Sequence, residues 1–202
     1  MIIVDCEQGS PEWHSARLGC PTASKFGEII TPVKMEYSKS AEKYMLEKVF
    51  EKLTGKSAEN GYTNQHMERG TELEAEARAW YEISHGDVQQ VGIVYRDERR
   101  DVACSPDGLT EIRGLEIKCP SPAVMVKILL AKAMPIEYIP QVQGSMWITG
   151  LKEWNFLAYH PDLDPFLVTV HRDDKFCSTL EMYIHRFNTE LNATYSKLRR
   201  PV

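Results

Sequence analysis

The chain has 202 residues, of which 43% are hydrophobic and 26% are charged, and its formal net charge is −5. These values are typical of a soluble protein with one core, and no apolar run approaches the ~20 residues that cross a bilayer. A protein that only coats nucleic acid is expected to be basic overall, so the acidic charge counts against that class.

The N-terminus and the cysteines both favour a cytosolic protein. Asp5 stands early in the chain, and the first residues lack the basic flank and apolar stretch of a secretory signal. The five cysteines include no C-x-x-C pair, which argues against a disulfide framework and a structural zinc site. No internal repeat or long linker divides the sequence, so we expect a single domain over residues 1–202.

Hydrophobic spacing predicts the elements in chain order. Leu46, Val49, Phe50 and Leu53 share one face of a helix at residues 40–53, and a second helix is expected near residues 64–83. The remaining segments are strands at 91–95, 101–104 and 114–119, helices at 123–133 and 136–149, strands at 155–159 and 166–170, and a helix at 174–198. This order predicts an α/β (α+β) fold, with a central mixed β-sheet flanked by helices.

A turn and the strand after it carry the most informative polar residues. Asp107 lies in the turn Ser-Pro-Asp-Gly, and Glu116 and Lys118 share one face of the following strand while Ile117 faces the other way. Two converging carboxylates repel each other, and a hard divalent cation such as Mg²⁺ relieves that repulsion. A nearby lysine would stabilise charge at a phosphate. From spacing alone, a solvated strand face is the better explanation of these residues, because this pattern occurs in many proteins.

Five blocks of sequence, in order, resemble the phage lambda exonuclease family, also called the YqaJ-like viral recombinase family. They are QGSPEWHSARLG at 8–19 with TAS at 22–24, RGTELE at 69–74, ACSPDG at 103–108, GLEIKCP at 114–120 and QVQGSMW at 141–147. The resemblance covers most of the chain. It implies a restriction-endonuclease-like core, and it favours the catalytic interpretation of the turn and strand over the solvated one.

The resemblance also implies roles for individual residues. It assigns divalent metal to Asp107, Glu116 and the backbone carbonyl of Ile117, with Mg²⁺ as the cofactor and Mn²⁺ as a substitute. Lys118 would assist the attacking water, because the family's lysine does so.

Two further residues are implied by the same match. Glu74 would help to order the attacking water, and Gln141 would lie near the scissile phosphate. Each has an alternative: Glu74 as a solvated acid on a helix rich in glutamate, and Gln141 as a surface amide.

The family's end-recognition positions match three residues. Arg17 and Ser24 would line a 5′-phosphate pocket, and Met67 stands where the family uses an apolar residue to separate the strands, although its helical spacing favours a core position. Trp13 could stack on a terminal base or equally belong to the core. The alternatives for the other two are an ion pair for Arg17 and a helix N-cap for Ser24. The loop at residues 31–38 holds only one basic residue, so its role in tracking DNA stays open.

The function implied is a Mg²⁺-dependent exonuclease that digests one strand of linear duplex DNA from its 5′ end. The 3′ tails would serve phage-type recombination with a single-strand annealing protein. The family also implies a homotrimeric ring in the cytoplasm of a bacterial host, with a phage or prophage origin. Two alternatives are a structure- or site-specific endonuclease of the same fold and a noncatalytic module that binds DNA ends.

Overall fold

The computed structural model describes residues 1–58 and 65–199, with the side chains of residues 65–72 left out. Within these residues, seven strands form two separate sheets. The strands are β1 (Ile2–Val4), β2 (Ile93–Tyr95), β3 (Ala103–Cys104), β4 (Gly108–Leu109), β5 (Arg113–Lys118), β6 (Glu153–His160) and β7 (Leu163–His171). The helices are α1 (Pro11–Arg17), α2 (Ala41–Thr54), α3 (Gln65–His85), α4 (Pro122–Ala131), α5 (Ile139–Thr149) and α6 (Asp174–Leu198), with 3₁₀ helices at Ala23–Glu28 and Ile136–Tyr138.

The larger sheet has the strand order β4-β5-β6-β7 and holds the residues of the predicted site. Strand β5 pairs antiparallel with β4 and parallel with β6, where Glu116 lies opposite Phe156. A parallel pair needs a crossover connection, and α4, the second 3₁₀ helix and α5 provide it. The smaller sheet has the order β1-β2-β3 and is antiparallel throughout.

The main core lies between the larger sheet and the helices α2, α5 and α6. Phe26, Met146, Trp154 and Phe187 are among its fully buried side chains. Helix α5 packs closely on the first 3₁₀ helix, because a Cβ atom at Gly144 would lie 2.3 Å from the ring of Phe26. A larger residue at this position would push the two elements apart.

A buried ion pair on α2 fixes the loop that follows α1. Glu51 Oε2 accepts hydrogen bonds from Lys48 Nζ at 2.9 Å and from the Gly19 backbone at 2.8 Å. Glu51 Oε1 accepts from the backbone of Ala58 at 3.3 Å. Gly19 has a φ of +67°, and a Cβ atom there would lie 2.3 Å from the Lys52 side chain, so only glycine fits this close approach.

The mixed α/β architecture and the long elements predicted from sequence are confirmed. Helix α6 has the predicted bounds, and Asp173 caps it by accepting from two backbone amides. The single central sheet is divided in two, and β1, α1 and β4 were not predicted. The helix for which Ser24 is a candidate N-cap is the first 3₁₀ helix, but its N-cap is Thr22. No helix in the described ranges is long and apolar enough to cross a membrane.

Candidate active site

The turn between β3 and β4 places Asp107 against β5. Its backbone amide donates to Leu115 O at 3.1 Å, and its carboxylate Oδ2 accepts from the backbone amide of Ile117 at 2.6 Å. A residue near the N-terminus also holds the turn, because Gln8 Nε2 donates to Pro106 O at 2.8 Å. The Asp107 carboxylate is therefore fixed beside the strand that carries Glu116.

The Glu116 carboxylate faces the interior with two donors on one oxygen. Lys118 Nζ and Gln141 Nε2 each lie 2.5 Å from Glu116 Oε1, so α5 closes over β5 at this point. Glu116 is only 2% exposed, and among the described residues its second oxygen, Oε2, has no hydrogen-bond partner. A buried carboxylate oxygen without a donor is costly, and it calls for a cation or a polar ligand.

The pKa values of the two carboxylates also indicate that their negative charges are incompletely neutralised. Burial, together with the charges of Glu116 and Glu74, raises the pKa of Asp107 well above its usual range. Burial raises the pKa of Glu116 as well, although Lys118 opposes the rise. Burial alone would lower the pKa of Lys118, but the carboxylates of Glu116 and Asp107 raise it overall. The protein therefore gathers more negative charge here than it neutralises.

Glu74 approaches the cluster from α3 and is held by an arginine that the sequence analysis missed. Arg78 Nη2 lies 2.5 Å from Glu74 Oε1, and Arg78 Nε donates to the backbone carbonyl of Asp107 at 3.0 Å. The spacing of a glutamate and an arginine four residues apart on a helix was the available signal.

The candidate ligands for a cation are the Asp107 and Glu116 carboxylates and the Ile117 carbonyl. Within the described part of the chain, no group of three or more His, Cys, Asp or Glu side chains is arranged to hold a metal ion. The open oxygen of Glu116 and the mutual repulsion of the two carboxylates nevertheless fit a hard divalent cation, which prefers oxygen ligands and retains water.

A second polar cluster forms where α1 ends beside the same turn. Arg17 Nη1 donates to Ser105 Oγ at 3.4 Å, and Nη2 donates to Thr22 Oγ1 at 3.3 Å and to Ser24 Oγ at 3.4 Å. Ser24 lies inside the first 3₁₀ helix, whose N-cap is Thr22, so the hydroxyl of Ser24 is available to Arg17. Thr22 and Ser105 join the two predicted residues. A guanidinium among three hydroxyls is a suitable anion site.

Trp13 packs against this cluster and bonds one of its hydroxyls. Its Nε1 donates to Ser105 Oγ at 2.9 Å and to Gly92 O at 3.1 Å, and the Arg17 guanidinium lies 4.1 Å from the ring centroid. One face of the half-buried indole is thus covered by Arg17. Met67 lies on α3, and its side chain is outside the described residues.

The model of the YqaJ-like viral recombinase domain matches residues 12–152, which include both clusters. The chain belongs to the YqaJ-like viral recombinase family. The crystal structure of an alkaline exonuclease (LHK-Exo) from Laribacter hongkongensis is similar to it, with a TM-score of 0.84 and 33% identity over 94% of this chain and 96% of that one. A crystal structure of LHK-Exo in complex with dAMP has the same TM-score, identity and coverage.

A more distant structure shares the fold of this YqaJ-like protein. A phage-related exonuclease from Haemophilus somnus 129PT has a TM-score of 0.62 at 15% identity, over 89% of this chain and 96% of that one, and therefore supports the fold alone. A search of curated proteins found no match. The family and the Laribacter structures together support a nuclease function.

Proposed function

We propose that this YqaJ-like nuclease is a Mg²⁺-dependent exonuclease that digests one strand of linear duplex DNA from its 5′ end. The resulting 3′ single-stranded tails would be the substrate of a strand-annealing protein in phage-type recombination. All of residues 1–202 would form one nuclease domain.

One observation carries the proposal: a single turn joins the anion site to the carboxylate cluster. Ser105 contributes to the site formed by Arg17, and Asp107, two residues further, contributes to the cluster. Consecutive phosphates of one DNA strand could therefore occupy the two clusters. A terminal phosphate held by Arg17 would place a nearby phosphodiester at the carboxylates, which is what removal of nucleotides from a 5′ end requires.

The residues of the cluster have separable tasks in this reaction. Asp107, Glu116 and the Ile117 carbonyl would hold the divalent cation, which when bound supplies Lewis-acid polarisation of a phosphodiester. Lys118 keeps its positive charge and stabilises the negative charge that develops at the phosphate.

Two residues would prepare the cluster for the attack. Gln141 holds Oε1 of Glu116, which leaves Oε2 for the cation. Glu74 would order the attacking water from the α3 side.

The Laribacter relatives support this assignment. One is described as an alkaline exonuclease and one contains dAMP, a product that an exonuclease acting on DNA would release. Their 33% identity extends over 94% of this chain, and the family match at residues 12–152 spans both clusters.

A ring of three subunits around the duplex is part of the proposal. The chain has a net charge of −5, and topological closure would keep such a protein on DNA without a strongly basic surface. Oligomeric state can be measured by light scattering with and without duplex DNA. A monomer under both conditions contradicts this part alone.

The decisive experiment uses linear duplexes labelled at either 5′ end or either 3′ end, with Mg²⁺, with Mn²⁺ and with chelator. We expect metal-dependent release of the 5′ label first, and no release by Asp107→Ala. Cleavage of covalently closed circular DNA would favour the endonuclease. Binding to ends without metal-dependent release would favour the noncatalytic module.

The anion site has its own test. We expect Arg17→Ala to reduce the preference for 5′-phosphorylated over 5′-hydroxyl ends by about tenfold, because a charge-assisted contact is lost. Arg99→Ala, which removes an arginine with a 67% exposed side chain, is the control and should keep the preference. An unchanged ratio in Arg17→Ala would show that this cluster does not bind the 5′-phosphate.

A further inference from the structure

Arg78 connects two parts of the site that come from distant segments of the chain. Its side chain is only 12% exposed, and it bonds both the Glu74 carboxylate on α3 and the backbone carbonyl of Asp107 in the β3–β4 turn. Within the described residues, Arg78 bonds the backbone carbonyl of Asp107 and not its carboxylate. The guanidinium therefore fixes a distance between the helix and the turn without occupying the ligand oxygens of Asp107.

These contacts need the shape of arginine. The guanidinium is planar and always charged, and its rigid fork lets Nε and Nη2 bond two different acceptors at once. A lysine at the same position has one nitrogen at the end of a flexible chain, so it would satisfy the carboxylate or the carbonyl with the same geometry, but not both.

The charge of Arg78 also matters to the cluster. Glu74, Asp107 and Glu116 are three carboxylates, and the charges of Glu74 and Glu116 both raise the pKa of Asp107. Lys118 pairs with Glu116, and Arg78 pairs with Glu74. Without Arg78, Glu74 would turn away from the other two carboxylates or towards solvent, because its side chain is already 34% exposed.

Other polar contacts also bind α3 to the larger sheet, and they provide a matched control. Tyr159 Oη donates to Glu76 Oε1 at 2.6 Å, and Asn155 Nδ2 donates to Tyr81 Oη at 2.6 Å. Neither contact involves a residue of the site. The helix would stay docked if one contact were lost, so a general loosening of α3 can be distinguished from the loss of Arg78.

We propose that Arg78 is a positioning residue that holds the Glu74 carboxylate at the catalytic centre by tying it to the Asp107 turn. This inference rests on the proposed function, since it acts through Glu74. It adds a residue whose effect should appear in the turnover number and not in the binding of DNA ends.

The test is a double-mutant cycle on the full-length protein with 5′-phosphorylated duplex. We expect Arg78→Gln to lower kcat about 10- to 100-fold, as outer-shell partners of metal sites do, with KM unchanged. In Arg78→Lys the loss should be smaller. Adding Arg78→Gln to Glu74→Gln should cost little more, because two residues that act as one unit are not additive. Tyr159→Phe should keep kcat within about twofold.

The outcomes separate the inference from the proposal it rests on. Loss of activity in Glu74→Gln with full activity in Arg78→Gln overturns the inference alone, as do fully additive losses or an equal loss in Tyr159→Phe. Full activity in Glu74→Gln and Asp107→Ala overturns both. Rates are measured below the thermal midpoint of each variant, and if Arg78→Gln does not fold, Arg78→Lys carries the same cycle.

Discussion

Two glutamates of this protein are almost equally buried, yet their surroundings differ. Glu51 on α2 is 3% exposed, and both of its oxygens accept hydrogen bonds, from Lys48, Gly19 and Ala58. Glu116 on β5 is 2% exposed, but both of its donors share one oxygen and the other, within the described residues, has none.

The difference distinguishes a buried carboxylate that stabilises the fold from the one that we propose to hold a cation. A carboxylate whose oxygens are all hydrogen-bonded needs no further ligand, and removing it leaves the buried lysine without its counter-charge. A carboxylate with an open oxygen beside a second carboxylate is unfavourable until a cation arrives. Burial alone therefore does not distinguish the two glutamates; the incomplete hydrogen bonding of Glu116, beside a second carboxylate, is what supports the proposed cation site.

The largest expected effect follows from Glu116→Gln. Loss of a cation ligand should lower kcat by about 10³-fold or more, since a metal supplies several kcal/mol and each 1.36 kcal/mol is about tenfold. The rate of nucleotide release from linear duplex measures it, and binding of duplex ends should persist. Activity within about tenfold of the parent would place the cation elsewhere.

The corresponding change at the other glutamate should act on stability. Glu51→Ala leaves Lys48 buried without its carboxylate, and we expect the free energy of unfolding to fall by about 3–5 kcal/mol. Urea denaturation measures this value. Glu47→Ala is the matched control, because Glu47 forms an exposed pair with Lys43 on the same helix. Equal free energies of unfolding in the two variants would show that the buried Glu51 carboxylate does not stabilise the fold.

Metal binding should stabilise the folded protein through the open carboxylate. At a Mg²⁺ concentration of about 100 times the dissociation constant, the gain is about 2.7 kcal/mol. Thermal denaturation with and without Mg²⁺ should show a higher midpoint for the parent, and Glu116→Gln should show little change. An equal rise in both proteins would mean that Mg²⁺ binds at another place.

The smallest effect concerns pH in the absence of metal. Burial and the neighbouring carboxylates raise the pKa of Asp107 in the folded state, so the folded protein binds this proton more tightly than the unfolded one. Stability from this group is present at low pH and is lost as pH rises from the ordinary carboxyl range through the raised pKa. Asp107→Asn removes the titrating group and therefore this loss of stability with rising pH. The asparagine side-chain oxygen can still accept a hydrogen bond from the backbone amide of Ile117.

Above the raised pKa, chelator-treated Asp107→Asn should therefore melt about 2–4 °C higher than the parent, the shift that 1 kcal/mol gives at this chain length. The difference should vanish at the acidic end of the titration. A lower midpoint at every pH would mean that the negative charge of Asp107 stabilises the metal-free fold.

The sequence predicted the central geometry because short-range rules determine it. Alternation along a strand places Glu116 and Lys118 on one face, and the turn before the strand brings Asp107 to it. The bounds predicted for α6 match the structure, in which Asp173 caps the helix by accepting from the next residues' backbone amides. Such features depend on neighbours within a few residues.

The features that escaped prediction depend on distant parts of the chain. Strand β1 has three residues and pairs with β2, about ninety positions away, so no local period reveals it. Lysine and glutamate three apart on α2 are typical of a solvated helix face, yet Lys48 and Glu51 are buried beside the loop of Gly19. Arg78 matched a common helix pair, and only the turn at Asp107 gives it a second acceptor.

The parallel pairing of β5 with β6 also sets the order in which the protein can become active. Before β6 is synthesised, β5 has only the two-residue strand β4 as a neighbour, and Gln141 lies in the connection that has yet to fold. A nascent chain that ends before Glu153 should therefore release no nucleotides, which translation arrest at defined lengths can measure. The ribosome thus completes most of the polypeptide before the residues of the proposed active site can come together.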